Sequence, residues 1–139
     1  MKHMFAVIDT NVIVSALLTK NPDSPTVRVV ESVLSGQITP LYHNDILREY
    51  DEVLHRPKFH LSDETVRTLV EAFRQFGTEV EPKATGEILS DMDDLIFYEV
   101  TMEKQDSQAY LVTGNTKHFP KQPFIVTPSE MMAILENSI

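Results

Sequence analysis

The sequence predicts a three-layer α/β/α sandwich with a mainly parallel central sheet, and three observations carry that prediction. Apolar runs without alternation occur at Phe5-Ala6-Val7-Ile8, Ala109-Tyr110-Leu111-Val112 and Phe124-Ile125-Val126, as expected of strands covered by helices on both faces. Segments with apolar residues at helical spacing lie between these runs. Strands and helices therefore alternate along the chain, which is the pattern of a parallel sheet joined by helical crossovers. With 139 residues and 42% hydrophobic content, the chain reads as one domain spanning 1–139 that can bury its own core.

The first run stops at Asp9-Thr10-Asn11. Asp9 thus emerges at a strand's carboxyl end, the side on which open parallel sheets bind ligands. An N-cap for the following helix explains Asp9 equally well, since aspartate caps readily. Asn11–Leu18 is a short helix and Thr19–Asp23 a polar loop. Ser24-Pro25 begins the next helix, with a capping side chain ahead of proline at the first helical position; Val27, Val30, Val33 and Leu34 share a face and Gly36 closes it. Ile38–Tyr42 reads as a short strand, which Pro40 weakens.

Asn44 is placed to cap a helix whose stripe is Ile46, Leu47, Tyr50, Val53 and Leu54, and Pro57 ends it. Glu49 lies at the edge of that stripe and shares a flank with Asp45 and Glu52, so it faces either solvent or the sheet's end; a solvated charged face is the commoner arrangement. Ser62 caps a further helix with Asp63 and Glu64 in its first turn, and Val66, Leu69, Val70, Phe73 and Phe76 form its expected buried face before Gly77. Glu79-Val80-Glu81 suits a short edge strand before Pro82, and Lys83–Ser90 is a polar connection.

Three acids in four residues, Asp91-Met92-Asp93-Asp94, precede a helix that packs Ile96, Phe97 and Val100 inward. One acid suffices as a cap. Three crowded carboxylates raise one another's pKa unless a cation neutralises them, so dipole compensation and metal binding both stand as explanations. The strand through Val112 ends in Thr113-Gly114-Asn115 and so repeats the design of the opening stretch. A turn through Lys117-His118-Phe119-Pro120 leads to the third apolar strand. Thr127-Pro128-Ser129-Glu130 is a capping box that starts a last helix through Met131, Met132, Ile134 and Leu135.

Composition narrows the chemistry. Without cysteine there are no disulfides, zinc ribbons or thiol catalysis, and a metal must be held by oxygen or by one of five histidines. The apolar stretch after Met1 reaches only Ile8, too short for a secretory core or a membrane span, and the protein is expected to be cytoplasmic. A net charge of −9, from 12 basic against 21 acidic residues, argues against passive coating of nucleic acid. It is compatible with a nuclease, because divalent cations in a carboxylate cleft reverse the local sign. If strands ending in Asp9 and Asn115 and helices carrying Glu49 and Asp94 converge on one rim, oxygen donors there suit Mg²⁺ or Mn²⁺, ions that most often serve phosphate chemistry.

Four stretches in order, Val7-Ile8-Asp9-Thr10-Asn11-Val12, Ile46-Leu47-Arg48-Glu49-Tyr50, Asp91-Met92-Asp93-Asp94 leading into Phe97-Tyr98-Glu99, and Leu111-Val112-Thr113-Gly114-Asn115, resemble the motif set of PIN-domain ribonucleases, closest to the PIN-family toxins of toxin-antitoxin systems. The resemblance spans nearly the whole chain. It implies a PIN-like, Rossmann-like fold and a Mg²⁺- or Mn²⁺-dependent endoribonuclease that hydrolyses single-stranded RNA with a metal-activated water, using one or two ions. It also implies an antitoxin partner and a homodimer, to which the apolar Val27–Val33 and Phe73–Phe76 faces would contribute if they are not core. Carried over to this chain, it makes Asp9 the central metal ligand, Glu49 the second acid and Asp94 the third, with Asn11 a supporting polar group. Asn115 stands where relatives often carry an acid, which makes it a weak ligand, and Asp91 or Asp93 would compensate. Lys117 and His118 face substrate on this reading, and Glu99 supports the site from behind or pairs with another polar group. Lys20, Arg48, Arg56 and Lys58 complete the expected RNA contacts.

Other classes fit less well. A catalytically weakened PIN-like module that binds protein is the main alternative, because Asn115 and the acidic surface both permit it. A receiver domain would need an acid ending a middle strand and a lysine after a later one. A haloacid-dehalogenase-type phosphatase would need a second aspartate two residues after the first, where this chain has Asn11.

Overall fold

The five short strands are β1 (Met4–Ile8), β2 (Ile38–Tyr42), β3 (Thr78–Glu79), β4 (Tyr110–Val112) and β5 (Ile125–Val126), in a computed structural model that describes residues 3–137. They pair in the order β3-β2-β1-β4-β5, every neighbouring pair parallel. The chain steps outward from β1 to β2 and β3 and then crosses to the other side for β4 and β5. The order therefore reverses between β1 and β4, and a parallel sheet opens a crevice at the carboxyl ends of the strands flanking such a point. Register places Ile8 beside Val112, so Asp9 and Thr113 leave the sheet next to one another.

Helices α1 (Thr10–Leu18), α2 (Pro25–Leu34), α3 (Asn44–Leu54), α4 (Asp63–Phe76), α5 (Leu95–Glu103) and α6 (Pro128–Glu136) flank the sheet, giving the α/β/α sandwich that the alternation predicts. Ala6, Val7, Ile8, Leu111 and Val112 are fully buried, as continuous apolar strands require. Around Tyr50, Phe73 and Phe97 the core is aromatic, with Tyr50 and Phe73 meeting edge to face at 5.5 Å.

Pro40 sits within β2 opposite Ala6, where a missing N–H should weaken pairing. The strand tolerates it because β3 pairs only with Leu41 and Tyr42. Gly77 turns the chain from α4 into β3 through a passage too tight for a side chain: a Cβ there would lie 2.5 Å from the carbonyl oxygens of both Phe73 and Pro40.

Several local expectations change. His43, not Asn44, caps α3, its Nδ1 accepting from the Asp45 amide at 3.0 Å. Ser24 occupies the cap position of α2 but turns its hydroxyl to Thr26 instead of an amide. The edge strand starts one residue earlier than the Glu79–Glu81 pattern suggests, because Thr78 already pairs with Leu41, and Val80 is buried beyond it. Phe76 and Leu34 are exposed at the ends of their helices, where the apolar stripe turns past the neighbouring layer. Val29, Val30, Val33 and Phe73 are core, which removes them from any dimer face.

Candidate active site

Asp9 is 6% exposed, and its side chain accepts hydrogen bonds from the start of α1 and from the residue that follows β4. Its Oδ1 accepts from the Thr10 amide at 2.8 Å, so it does cap α1. Its Oδ2 accepts from Thr113 Oγ1 at 2.8 Å and from Asn11 Nδ2 at 3.2 Å, which exceeds the needs of a cap. Asn11 ties the first turn of α1 to the loop after β4, because its Oδ1 also accepts from the Gly114 amide at 3.2 Å. Thr113 in turn receives the Asn115 amide at 2.9 Å.

Glu49 turns toward the sheet's end instead of solvent, accepting the Thr10 hydroxyl on the residue beside Asp9. The next residue, Tyr50, is buried and donates its hydroxyl to the carbonyl of Ile8. Two consecutive residues of α3 thus grip the two residues flanking Asp9. Across the cleft, Asp91 accepts the Asp93 amide at 3.0 Å and caps a 3-10 turn over Met92–Asp94. That duty leaves Asp94 free of capping bonds at the head of α5.

The three acids share one electrostatic environment. Burial pushes Asp9 up, against the hydrogen bonds from Thr113, Thr10 and Asn11 and the charge of His118. Burial also raises Glu49; the Thr10 bond opposes this, and Asp9, Asp94 and Asp93 add to it. Asp94 is pushed up to about 6, by burial first and then by Asp9 and Asp91. Asp9 thus bears on both other acids, and Glu49 and Asp94 are destabilised by neighbouring negative charge as well as by burial, the condition a cation would relieve. Tyr50 is raised by burial and by Asp9 and Glu49, so it stays a neutral donor.

Other sequence candidates fall into place around this group. His118 is exposed yet near enough to act on both Asp9 and Asp94. Asp93 bears on Glu49 and Asp94, and lines a cleft of about 310 Å³ with Glu49, Glu52 and Arg48. Asn115 is exposed and borders a small cleft with Asn11 and Ser15. Lys117 lies in the same turn as His118 and lines a separate cavity with Phe119 and Lys121. Glu99 is turned elsewhere: it accepts the amide and hydroxyl of Thr85 at 2.6 and 2.9 Å and pins the connection before the acids.

Thr10, Thr113 and Tyr50 are absent from the sequence candidates. A threonine directly after a buried strand on each side of the switch point is a readable signal for the first two. Tyr50 falls on the apolar stripe of α3, where its ring explains it fully and its hydroxyl goes unnoticed.

Among the described residues, no group of three or more histidine, aspartate or glutamate side chains is arranged to hold a metal ion. The donor set nevertheless suits a hard cation. Mg²⁺ keeps several waters and binds through one or two carboxylates, so a buried Asp9 with Glu49 and Asp94 near enough to feel its charge meets its needs without a full protein cage.

A parallel sheet clad in helices, with carboxylates gathered where its strand order reverses, defines an α/β/α domain with an acidic cleft at the switch point. The family model described as PIN domain matches residues 6–117, and the chain belongs to that family, whose members are generally nucleases. A chain of VapBC2 from Rickettsia felis, solved bound to a DNA fragment from their promoter, is similar in structure, with a TM-score of 0.52 over 89% of this chain and 97% of that one. At 20% identity the likeness shows the fold. No curated protein matches the chain.

Proposed function

We propose that the protein is a Mg²⁺- or Mn²⁺-dependent endoribonuclease that hydrolyses single-stranded RNA, acting as the toxin of a toxin-antitoxin pair. The observation that carries this reading is the convergence of three acids at the switch point of the sheet: Glu49 accepts the hydroxyl of Thr10 beside the buried Asp9, and Asp9 is near enough to raise both Glu49 and Asp94. Asp9, Asp94 and Glu49 would hold one or two ions, with Asp91 and Asn115 as weaker outer donors. When bound, the divalent ion would activate water and neutralise the scissile phosphate.

The chain's own part is orientation. Thr113 and Asn11 fix Oδ2 of Asp9, and Thr10 fixes Oδ1 of Asp9 and a Glu49 oxygen. Asp94 is half-buried and His118 exposed, so an incoming RNA phosphate would meet these two before Asp9. An antitoxin that keeps such an enzyme inactive, a homodimeric state and a cytoplasmic setting belong to the same proposal. The VapBC2 likeness supports the pairing with an antitoxin. In keeping with that setting, no helix among the described residues is long and apolar enough to cross a membrane.

Incubation of a generic single-stranded RNA with the protein, with and without Mn²⁺, tests the proposal; cleavage that needs the ion and is lost in Asp9→Asn supports it. The catalytically weakened, protein-binding module remains the second reading, favoured by the neutral Asn115. It predicts neither cleavage nor a metal-dependent shift in melting temperature.

A further inference from the structure

The acidic cleft runs into a second groove of the opposite character. Between α3 and α4 lies a groove of about 510 Å³ whose floor is the buried pair Leu47 and Val70 and whose walls carry Arg48, Arg67 and Arg74. The chain has five arginines, and three of them line this one groove of a molecule with net charge −9. Arg48 also lines the cleft beside Glu49 and Asp93, so the two depressions share a wall.

The helices run antiparallel here, since His55 at the end of α3 meets Asp63 at the start of α4 at 2.8 Å. Arg48 and Arg74 therefore stand at the end nearer the acids. Arg67 lies two turns further along α4, about 10 Å away.

All three guanidinium groups are available. Their side chains are 75, 76 and 48% exposed for Arg48, Arg67 and Arg74, and each meets only an exposed acid one turn away, Asp45, Asp63 and Glu71 respectively. Surface pairs of this kind contribute little and are readily exchanged. Asp51 and Glu71 also border the groove, so its pull is short-ranged and directional, not a broad positive field. Arginine forks suit phosphate oxygens in particular.

We propose that the α3–α4 groove is the track along which single-stranded RNA leaves the acidic cleft, its phosphates held by Arg48, Arg74 and Arg67 in that order. The assignment rests on the ribonuclease reading of the cleft and extends it to a second stretch of the same strand. A polyanion crosses the acids only at the reacting phosphate. Its flanking phosphates then fall on the arginines, which supplies affinity that the overall charge denies.

The test measures binding of a fluorescent single-stranded RNA to Asp9→Asn protein across a range of salt, which removes cleavage from the readout. Arg67→Gln with Arg74→Gln should weaken binding about tenfold or more and reduce the salt slope by about 1.4, the share of two phosphate contacts on a single strand. A control pair, Arg28→Gln with Lys104→Gln, changes net charge equally on α2 and at the end of α5 and should have little effect. Equal weakening by both pairs, or no weakening by either, overturns the track. So does loss of binding to a polyglutamate peptide while RNA binding is intact, which would mark the groove as a site for acidic protein. A wild type that cleaves while the groove variant binds normally refutes the track alone; a groove variant that loses RNA binding in a protein that never cleaves refutes the nuclease reading alone.

Discussion

Thr113 Oγ1 donates to Oδ2 of Asp9 at 2.8 Å, linking the ends of two neighbouring parallel strands across the point where the sheet reverses its order. Both residues are buried, so the bond holds a charged oxygen where solvent cannot. Thr113→Val keeps the β-branched shape and removes the donor. The expected cost is about 1–3 kcal/mol of stability at neutral pH, because Asp9 loses one of its compensating bonds. Mn²⁺-supported cleavage should fall about ten- to a hundredfold, the scale on which partners behind a metal ligand act. Thermal melting and a cleavage assay check the two halves separately.

The pH dependence of stability should carry the mark of Asp94. Its folded pKa is raised to about 6, above the ordinary carboxylate range, so between about pH 4 and pH 6 the unfolded chain gives up a proton that the folded protein keeps. The stability it contributes is present below that window and is lost as pH rises through it. Asp94→Asn removes the effect and should melt higher than wild type at pH 7, by about 1 kcal/mol after discounting for solvent screening, or about 3 °C. The gap should close at pH 4. Melting curves of the two proteins at pH 4, 5, 6 and 7 check the sign.

Divalent ions should reverse that penalty. Mn²⁺ or Mg²⁺ at ten times its Kd stabilises the folded state by about 1.4 kcal/mol. Calorimetry at pH 7 should show the melting temperature rising with ion concentration in wild type. The rise should vanish in Asp9→Asn and shrink at pH 5, where Asp94 holds its proton.

Gly77 offers a test of the fold away from the site. A methyl group there would meet two backbone oxygens at 2.5 Å, neither able to move without disturbing α4 or β2. Gly77→Ala should cost about 2 kcal/mol or more, read as a drop in melting temperature.

Much of this arrangement was legible in the chain itself. Unbroken apolar runs ending at Asp9 and Thr113 point to parallel strands, and the proline and glycine punctuation locates most helices within a residue or two. The capping box at Thr127 forms as written. What escaped depends on three dimensions. Periodicity leaves Glu49 ambiguous between solvent and sheet, and only the Thr10 hydroxyl beside Asp9 decides its direction. Glu99 reads in the sequence either as support behind the site or as the partner of another polar group, and only the fold selects the second and identifies Thr85 as that partner. His43 shows no capping propensity by residue type; its imidazole caps because β2 delivers it to the head of α3.

The central claim is that Asp9, Glu49 and Asp94 act together on RNA. Single-turnover cleavage of one labelled single-stranded RNA in Mn²⁺, by wild type, Asp9→Asn and Glu99→Gln, tests it most directly. The account predicts a loss of about a thousandfold or more for Asp9→Asn, several kcal/mol of transition-state stabilisation, and near-normal rates for Glu99→Gln. Cleavage by Asp9→Asn at the wild-type rate, or wild-type cleavage undiminished in EDTA, would contradict it.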